Sequence, residues 1–186
     1  MIGTLARRRA VGIAAVIAAL GLSSMALTAN AAASPRDIAA LAKSSLIYIA
    51  TVRKDGNQSK PAPVWFITTK DNEVLIETSP KSWKARRIKR GSPAIIWIGS
   101  MQGPAFIGKA EIAADPAIQS RIVDEYPRKY LLARMGFARP TKEKFAAEQI
   151  VAIRITPLRD LPDGFQSHPG AAAPSIDAEQ SASKPQ

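Results

Sequence analysis

The segment KSWKARRIKR, residues 81–90, decides how this chain is read. Six of its ten residues are Lys or Arg. It follows an apolar run (Val74, Leu75, Ile76) and a Thr78-Ser79-Pro80 turn, and Gly91 separates it from a second apolar run at residues 94–98. The pattern predicts strand, turn, short basic helix, strand. Such a turn supplies hydroxyls and free backbone N–H groups at a helix start, with cations on the helix, which suits a phosphate group. A helix start carries about half a positive charge, and Lys84 would add a full one.

Strand signals extend on both sides of this segment. Residues 46–52 are β-rich and end at Lys54-Asp55-Gly56-Asn57, a hairpin turn signal. Residues 59–69 read as the returning strand. Pro61 and Pro63 confine its first half to an edge or bulge, and Val64-Trp65-Phe66-Ile67 is its packed half. Lys70-Asp71-Asn72 turns the chain into a third strand at 73–77. Downstream, Gly99 to Gly103 joins the 94–98 strand to a fifth at 105–112. Asp115 and Pro116 supply a helix N-cap and first-turn proline. Their helix carries Ile118, Ile122 and Val123 on one face, and a second helical piece at 129–137 follows Pro127. The last strand, residues 149–156, alternates Val151, Ile153 and Ile155 with polar or small residues. A short helix precedes them all at residues 35–44, on the spacing of Ile38, Leu41 and Ala42. Six strands, mostly in adjacent hairpins, predict a mainly β fold: a small antiparallel barrel with short helices.

The 186 residues suit one domain with appendages. The absence of Cys excludes disulfides, zinc thiolate sites and a cysteine nucleophile. The single His, His168, leaves no route to a histidine triad or a multi-histidine metal centre. A formal charge of +11 favours anionic partners: a phosphorylated cofactor, nucleic acid or an acidic membrane surface.

The N-terminus reads as an export signal. Arg7, Arg8 and Arg9 precede an uncharged stretch at residues 10–27, and Ala29-Asn30-Ala31 fits a signal-peptidase site. Residues 1–31 are therefore expected to be a signal peptide, with cleavage after Ala33 or retention as an anchor as alternatives. The arginine run admits the twin-arginine route beside ordinary secretion, and either delivers the protein to the periplasm or outside. Loss of the three arginines would leave a charge of about +8. Residues 32–161 are then the folded domain. From Pro162 onward Gly, Ala, Ser, Pro and Gln dominate, so residues 162–186 are expected to be a disordered tail.

Three segments together carry a family resemblance: IATVRKDGNQSKPAPVWFI (residues 49–67), ETSPKSWKARRIKRGSPAIIWI (77–98) and GPAFIGKAEI (103–112). In this order they resemble the flavin-binding split barrels of the pyridoxamine 5'-phosphate oxidase-like superfamily, over about residues 38–160. The resemblance implies a six-stranded antiparallel split β-barrel and a homodimer with FMN at the interface. Some relatives use the deazaflavin F420 instead, and some bind haem. It implies that Lys84 and Ser82, of the family's S-x-K, hold the cofactor phosphate with Thr78 and Ser79. Arg86 matches the place of a further cation. Lys60 stands near the position of a phosphate-binding Arg, and Val64, Trp65 and Phe66 would flank the flavin ring.

The sequence also departs from the family. The Asn of the family's a-r-N-L is Arg87 here. The C-terminal substrate-binding Arg and His of true pyridoxamine phosphate oxidases have no counterpart, because the last strand runs into Arg159-Asp160-Leu161-Pro162. Vitamin B6 oxidation is therefore not the implied activity.

The function implied by the resemblance is an exported flavin-dependent oxidoreductase, in which the flavin ring carries the hydride and no protein acid or base is required. Two alternatives remain at this stage. One is a non-catalytic flavin or haem carrier on the same fold, with His168 as a remote haem ligand. The other is a basic nucleic-acid-binding barrel. Against the latter, the aromatic residues are not interleaved with the basic cluster, so no nucleic-acid partner is expected. A small-molecule substrate is expected, and no stable membrane anchor after cleavage. On spacing alone, Arg86, Lys89 and Arg90 share one helix side, Trp97 reads as core or dimer interface, and Tyr126 and Tyr130 read as helix packing.

Overall fold

Trp65 and Phe66 interrupt what the sequence reads as a single second strand. The computed structural model describes residues 35–176. Before the break, β2 (Ala62–Val64) pairs with β1 (Ile47–Thr51); after it, β3 (Ile67–Thr68) pairs with β4 (Val74–Thr78). With β5 (Ala94–Ile98), β6 (Ala105–Ala113) and β7 (Val151–Asp160), the sheet has seven strands in place of the predicted six. Their order is β2-β1-β5-β6-β7-β4-β3, and all neighbours run antiparallel. β2 and β3 are thus opposite edges of one sheet. Yet Val64 and Ile67 are only three residues apart, a span of at most about 11 Å. The sheet must curl until its edges meet, which makes it a split barrel.

Among the described residues five helices accompany it: α1 (Pro35–Lys43), α2 (Trp83–Lys89), α3 (Pro116–Lys129), α4 (Leu131–Arg134) and α5 (Lys142–Ala146). Asp115 caps α3 through its carboxylate, which accepts from Ala117 N at 2.8 Å. α3 runs through Pro127 to Lys129, so the predicted second piece shrinks to the four residues of α4. α5 had no clear sequence signal beyond Thr141, whose hydroxyl accepts from Lys144 N at 3.3 Å.

The strands are buried on both faces. On β5, Ala94, Ile96 and Ile98 face the barrel interior with Ile47, Phe106 and Ile153. Ile95 and Trp97 face an outer cluster with Ala50, Ile107 and Leu161. A third cluster joins Leu75 and Ala152 to Ile122, Tyr126 and Tyr130 of the α3 region and to Phe145 of α5. This two-sided burial explains why β5 is a continuous apolar run rather than an alternating one.

The expected disordered tail needs correction over residues 162–176. Phe165 stacks on Trp97 with ring centroids 5.9 Å apart, and its carbonyl accepts from Trp97 Nε1 at 2.9 Å. Further on, the chain pairs with the β1–β2 hairpin: Gln58 N donates to Ala171 O (2.8 Å) and Ala173 N donates to Gly56 O (3.0 Å). Composition missed this because the segment is held by one aromatic ring and backbone bonds, not by apolar content. The proposed signal segment and residues 177–186 lie outside the described residues.

Candidate functional site

The end of β4 and the start of α2 bring three polar side chains together. Ser82 is the N-cap of α2, its hydroxyl accepting from Ala85 N at 3.2 Å. Thr78 Oγ1 donates to the same Ser82 oxygen at 3.3 Å, and Lys84 Nζ donates to Thr78 Oγ1 at 3.4 Å. The helix is pinned beneath them by Ala85 and Ile88, which are buried against the barrel. Burial lowers the Lys84 ammonium from its ordinary value, and attraction to Glu77 offsets this only in part. The Glu77 carboxyl is raised by burial, against the pull of Lys144 and Lys84. Lys84 is thus a partly desolvated cation bonded to a neutral hydroxyl. An anion placed there would recover the interaction that burial removes.

Glu77 also lines a recess of about 360 Å³ with Leu46, Pro63, Val64, Trp65 and Ala138. Trp65 is half-buried here and stacks on Tyr130, with centroids 4.6 Å apart and planes 9° from parallel. The backbone beside it is occupied. Tyr130 Oη accepts from Phe66 N (2.8 Å) and donates to Phe66 O (2.7 Å). Tyr126 Oη donates to Trp65 O (3.0 Å) and accepts from Glu77 N (3.2 Å). Burial raises the Tyr130 hydroxyl to about 12, so it stays a donor.

A second concavity, about 660 Å³, lies between the β1–β2 hairpin and α2. It is lined by Arg53, Lys54 and Lys60 from the hairpin, Arg86, Arg87 and Arg90 from α2, and by Ser59 and Trp83. Arg86 and Arg87 lie over the exposed Trp83 ring, 5.3 and 5.6 Å from its centroid. Arg87 Nη1 also donates to Thr51 Oγ1 at 3.2 Å, tying the helix to β1. Burial, together with repulsion from Arg53 and Arg90, lowers the Arg87 guanidinium from its ordinary value. Attraction to Asp55 does not reverse that direction, so the cleft carries excess positive charge.

The residues singled out by sequence divide between these places. Thr78, Ser82, Lys84, Val64 and Trp65 gather around the α2 start and the recess. Ser79 sits in the exposed turn, its hydroxyl accepting from Lys81 N. Lys60 and Arg86 line the basic cleft instead. Phe66 has no exposed surface and packs in the barrel interior. Of the adjacent pair Trp65 and Phe66, Phe66 is thus the core-facing one, and it meets the recess side through its backbone rather than its ring. The helix-side reading holds in part: Arg86 and Lys89 both line a hollow with Ala113, Phe145 and Val151, while Arg86 also joins Arg87 and Arg90 in the cleft. Sequence reasoning missed the part played by Tyr126 and Tyr130, whose backbone partners lie 49–64 residues away. Arg53, also missed, carried only a signal of charge.

The family model described as pyridoxamine 5'-phosphate oxidase matches residues 36–161. The chain belongs to this family. The match spans every strand and helix of the barrel except the first residue of α1. Among solved structures, a conserved hypothetical protein of Mycobacterium tuberculosis is 23% identical, covers 78% of this chain and 98% of its own, and superposes with a TM-score of 0.51. The FAD and haem binding protein of Mycobacterium smegmatis is 18% identical, with coverage of 83% and 92% and a TM-score of 0.51. Both likenesses show the shared fold. No curated protein matches the chain.

Proposed function

We propose that this member of the pyridoxamine 5'-phosphate oxidase family is an exported flavin-dependent oxidoreductase that binds FMN, with the deazaflavin F420 as the alternative cofactor. The observation carrying this reading is the Thr78–Ser82–Lys84 cluster beside the recess bounded by Val64 and Trp65. Its donor set fits a phosphate monoester: two hydroxyls and one partly desolvated ammonium. Thr78, Ser82 and Lys84 would hold the phosphate, while Val64 and Trp65 would bound the ring. Tyr126 and Tyr130 fix the Trp65–Phe66 backbone and so set the position of the Trp65 ring. Bound there, the flavin would supply hydride acceptance and electron transfer. Glu77, with its raised carboxyl, is the titratable carboxyl in the recess lining.

Family membership supports a flavin and a dimer with cofactor at its interface, and both belong to the proposal. So does export, which rests on Arg7–Arg9 and the apolar stretch after them.

An absorbance scan of the purified protein, before and after adding FMN or F420, tests the cofactor. Bands that remain with the protein through gel filtration are the expected result; a colourless protein that retains neither overturns the reading. Turnover of a nicotinamide reductant then separates an enzyme from a carrier, and cell fractionation tests export.

A further inference from the structure

The Thr78–Ser82–Lys84 cluster draws on a single cation of α2, because Lys84 turns to Thr78. Arg86, Arg87 and Arg90 line the basic cleft instead, facing Arg53, Lys54 and Lys60 of the hairpin. The cleft shares no lining residue with that cluster or with the recess beside it. It continues into an open concavity of about 520 Å³ formed by residues 52–54 and 90–93, so Arg53, Lys54 and Arg90 line both. Holding six cations together is unfavourable. Arg53 and Arg90 repel the Arg87 guanidinium. The acid at hand is Asp55, 3.7 Å from Arg53 with both side chains about half exposed, and such a pair offsets little. Lys54, Lys60, Arg86, Arg87 and Arg90 are in no ion pair among the described residues.

The two walls of the cleft are tied in place. Arg87 Nη1 donates to Thr51 Oγ1 at 3.2 Å, and Val52 N donates to Ser92 Oγ at 2.8 Å. Behind the hairpin wall, Gly170 N donates to Gln58 O and Ala173 N donates to Gly56 O, each at 3.0 Å. The repulsion is therefore held in a formed site rather than relaxed. Trp83 adds a second kind of chemistry. It is 68% exposed, and Arg86 and Arg87 stand over its ring. A large ring left in water among guanidinium groups is a platform on which another flat ring can stack.

We propose that the basic cleft binds a nucleoside polyphosphate, with the phosphate chain between the cations of the hairpin and of α2 and the base on Trp83, at a site separate from the flavin's. Adjacent phosphates bring several negative charges into a small volume, and guanidinium forks match phosphoryl oxygens two at a time. FMN carries one phosphate monoester, and with that group at Lys84 the six cations of the cleft stay uncompensated. The cleft's cations and ring stand ready whether or not a flavin binds at Lys84.

Calorimetric titration of the full chain, as purified and again after saturation with FMN, would compare ATP, tripolyphosphate and AMP at one fixed salt concentration. ATP should bind tightest. AMP should bind at least about tenfold more weakly for want of phosphate contacts, and tripolyphosphate about fivefold more weakly for want of stacking. FMN should leave the affinity for ATP unchanged. If no FMN binds, the flavin reading fails while ATP binding should persist. Arg53→Ala with Arg90→Ala should weaken ATP by at least about tenfold, and Trp83→Ala by about fivefold. Arg134→Ala with Arg139→Ala, which removes the same charge elsewhere, should change nothing. All five side chains are exposed, so their removal leaves the core intact. Equal affinity for ATP and AMP, tripolyphosphate binding as tightly as ATP, or an equal loss in the Arg134–Arg139 control overturns the proposal. So does the absence of binding, as when a second copy covers the cleft. Displacement of ATP by FMN also overturns it, since the cleft would then be part of the flavin's own site.

Discussion

The Tyr130 hydroxyl binds Phe66 at both of its backbone polar atoms, accepting from N–H at 2.8 Å and donating to C=O at 2.7 Å. Phe66 sits where β2 gives way to β3, so neither atom has a strand partner at the point where the barrel closes. A single side chain from α3's end therefore replaces two ladder bonds. Tyr130→Phe should leave both groups buried and unpaired and destabilise the fold by about 2–4 kcal/mol, from roughly 1–3 for each orphaned group. Tyr126→Phe, which frees Trp65 O and Glu77 N at a less buried place, should cost less. Urea denaturation of both variants measures this. Equal, negligible losses would mean that water replaces the hydroxyls and that closure does not depend on α3.

This closure marks the boundary of what the sequence reveals. β1, β4, β5 and β6 are legible because each is an apolar run bounded by local turn chemistry such as Asp55-Gly56 or Pro80. The break at Trp65–Phe66 has no local cause: the apolar run continues straight through it, and only the meeting of two sheet edges forces the chain to leave one partner for another. Thr78, Ser82 and Lys84 could be placed because they fall within seven residues around a helix cap. The two tyrosines reach their sites through pairings dozens of residues away, and Arg53 lines its cleft with residues of α2 far along the chain, which no spacing rule encodes.

Lys84 makes the cofactor proposal quantitative. Lys84→Ala should weaken FMN binding by roughly 1.5–3 kcal/mol, the scale of a hydrogen bond to a charged group. Lys89→Ala should matter much less, since Lys89 lines a different hollow. The pH dependence has a definite sign. Burial lowers Lys84 in the free protein, and a bound phosphate would raise it again. Affinity should then be level while Lys84 is charged, and fall as pH rises through its lowered free value toward the raised bound one. That fall should begin at a lower pH than for an ordinary lysine, and Lys84→Arg should move it beyond the accessible range. FMN titrations across alkaline pH decide it; a profile shared by wild type and Lys84→Arg would remove Lys84 from phosphate binding.

The stacked pair of Trp97 and Phe165 makes the segment after β7 part of the fold. Phe165→Ala should cost about 1–2 kcal/mol, from lost stacking and partial loss of burial. Truncation after Leu161 should cost more, because it also removes the partners of Gln58 and Gly56 and opens the fully buried Trp97 to water. Tryptophan emission should shift to the red in the truncated chain. An unchanged spectrum and midpoint would restore the reading of this segment as a passive tail.

Gly108 and Gly56 test two separate reasons for glycine. Gly108 lies at the irregularity between β6 and β7, where an added Cβ would meet Thr156 O and Ile155 Cγ2, each at 2.8 Å. A backbone oxygen cannot swing aside, so Gly108→Ala must push two paired strands apart and should cost about 1–3 kcal/mol by overpacking. At Gly56 the space is open and the obstacle is conformational, with φ at 78° in the hairpin turn. Gly56→Ala should cost about 1–2 kcal/mol through the left-handed backbone alone, and Gly56→Asn should recover part of it because Asn tolerates that region. No such rescue is open at Gly108, where any side chain meets the same oxygen. Chemical denaturation of the three variants separates the two causes, and a neutral Gly108→Ala would show that the β6–β7 register differs from the one described.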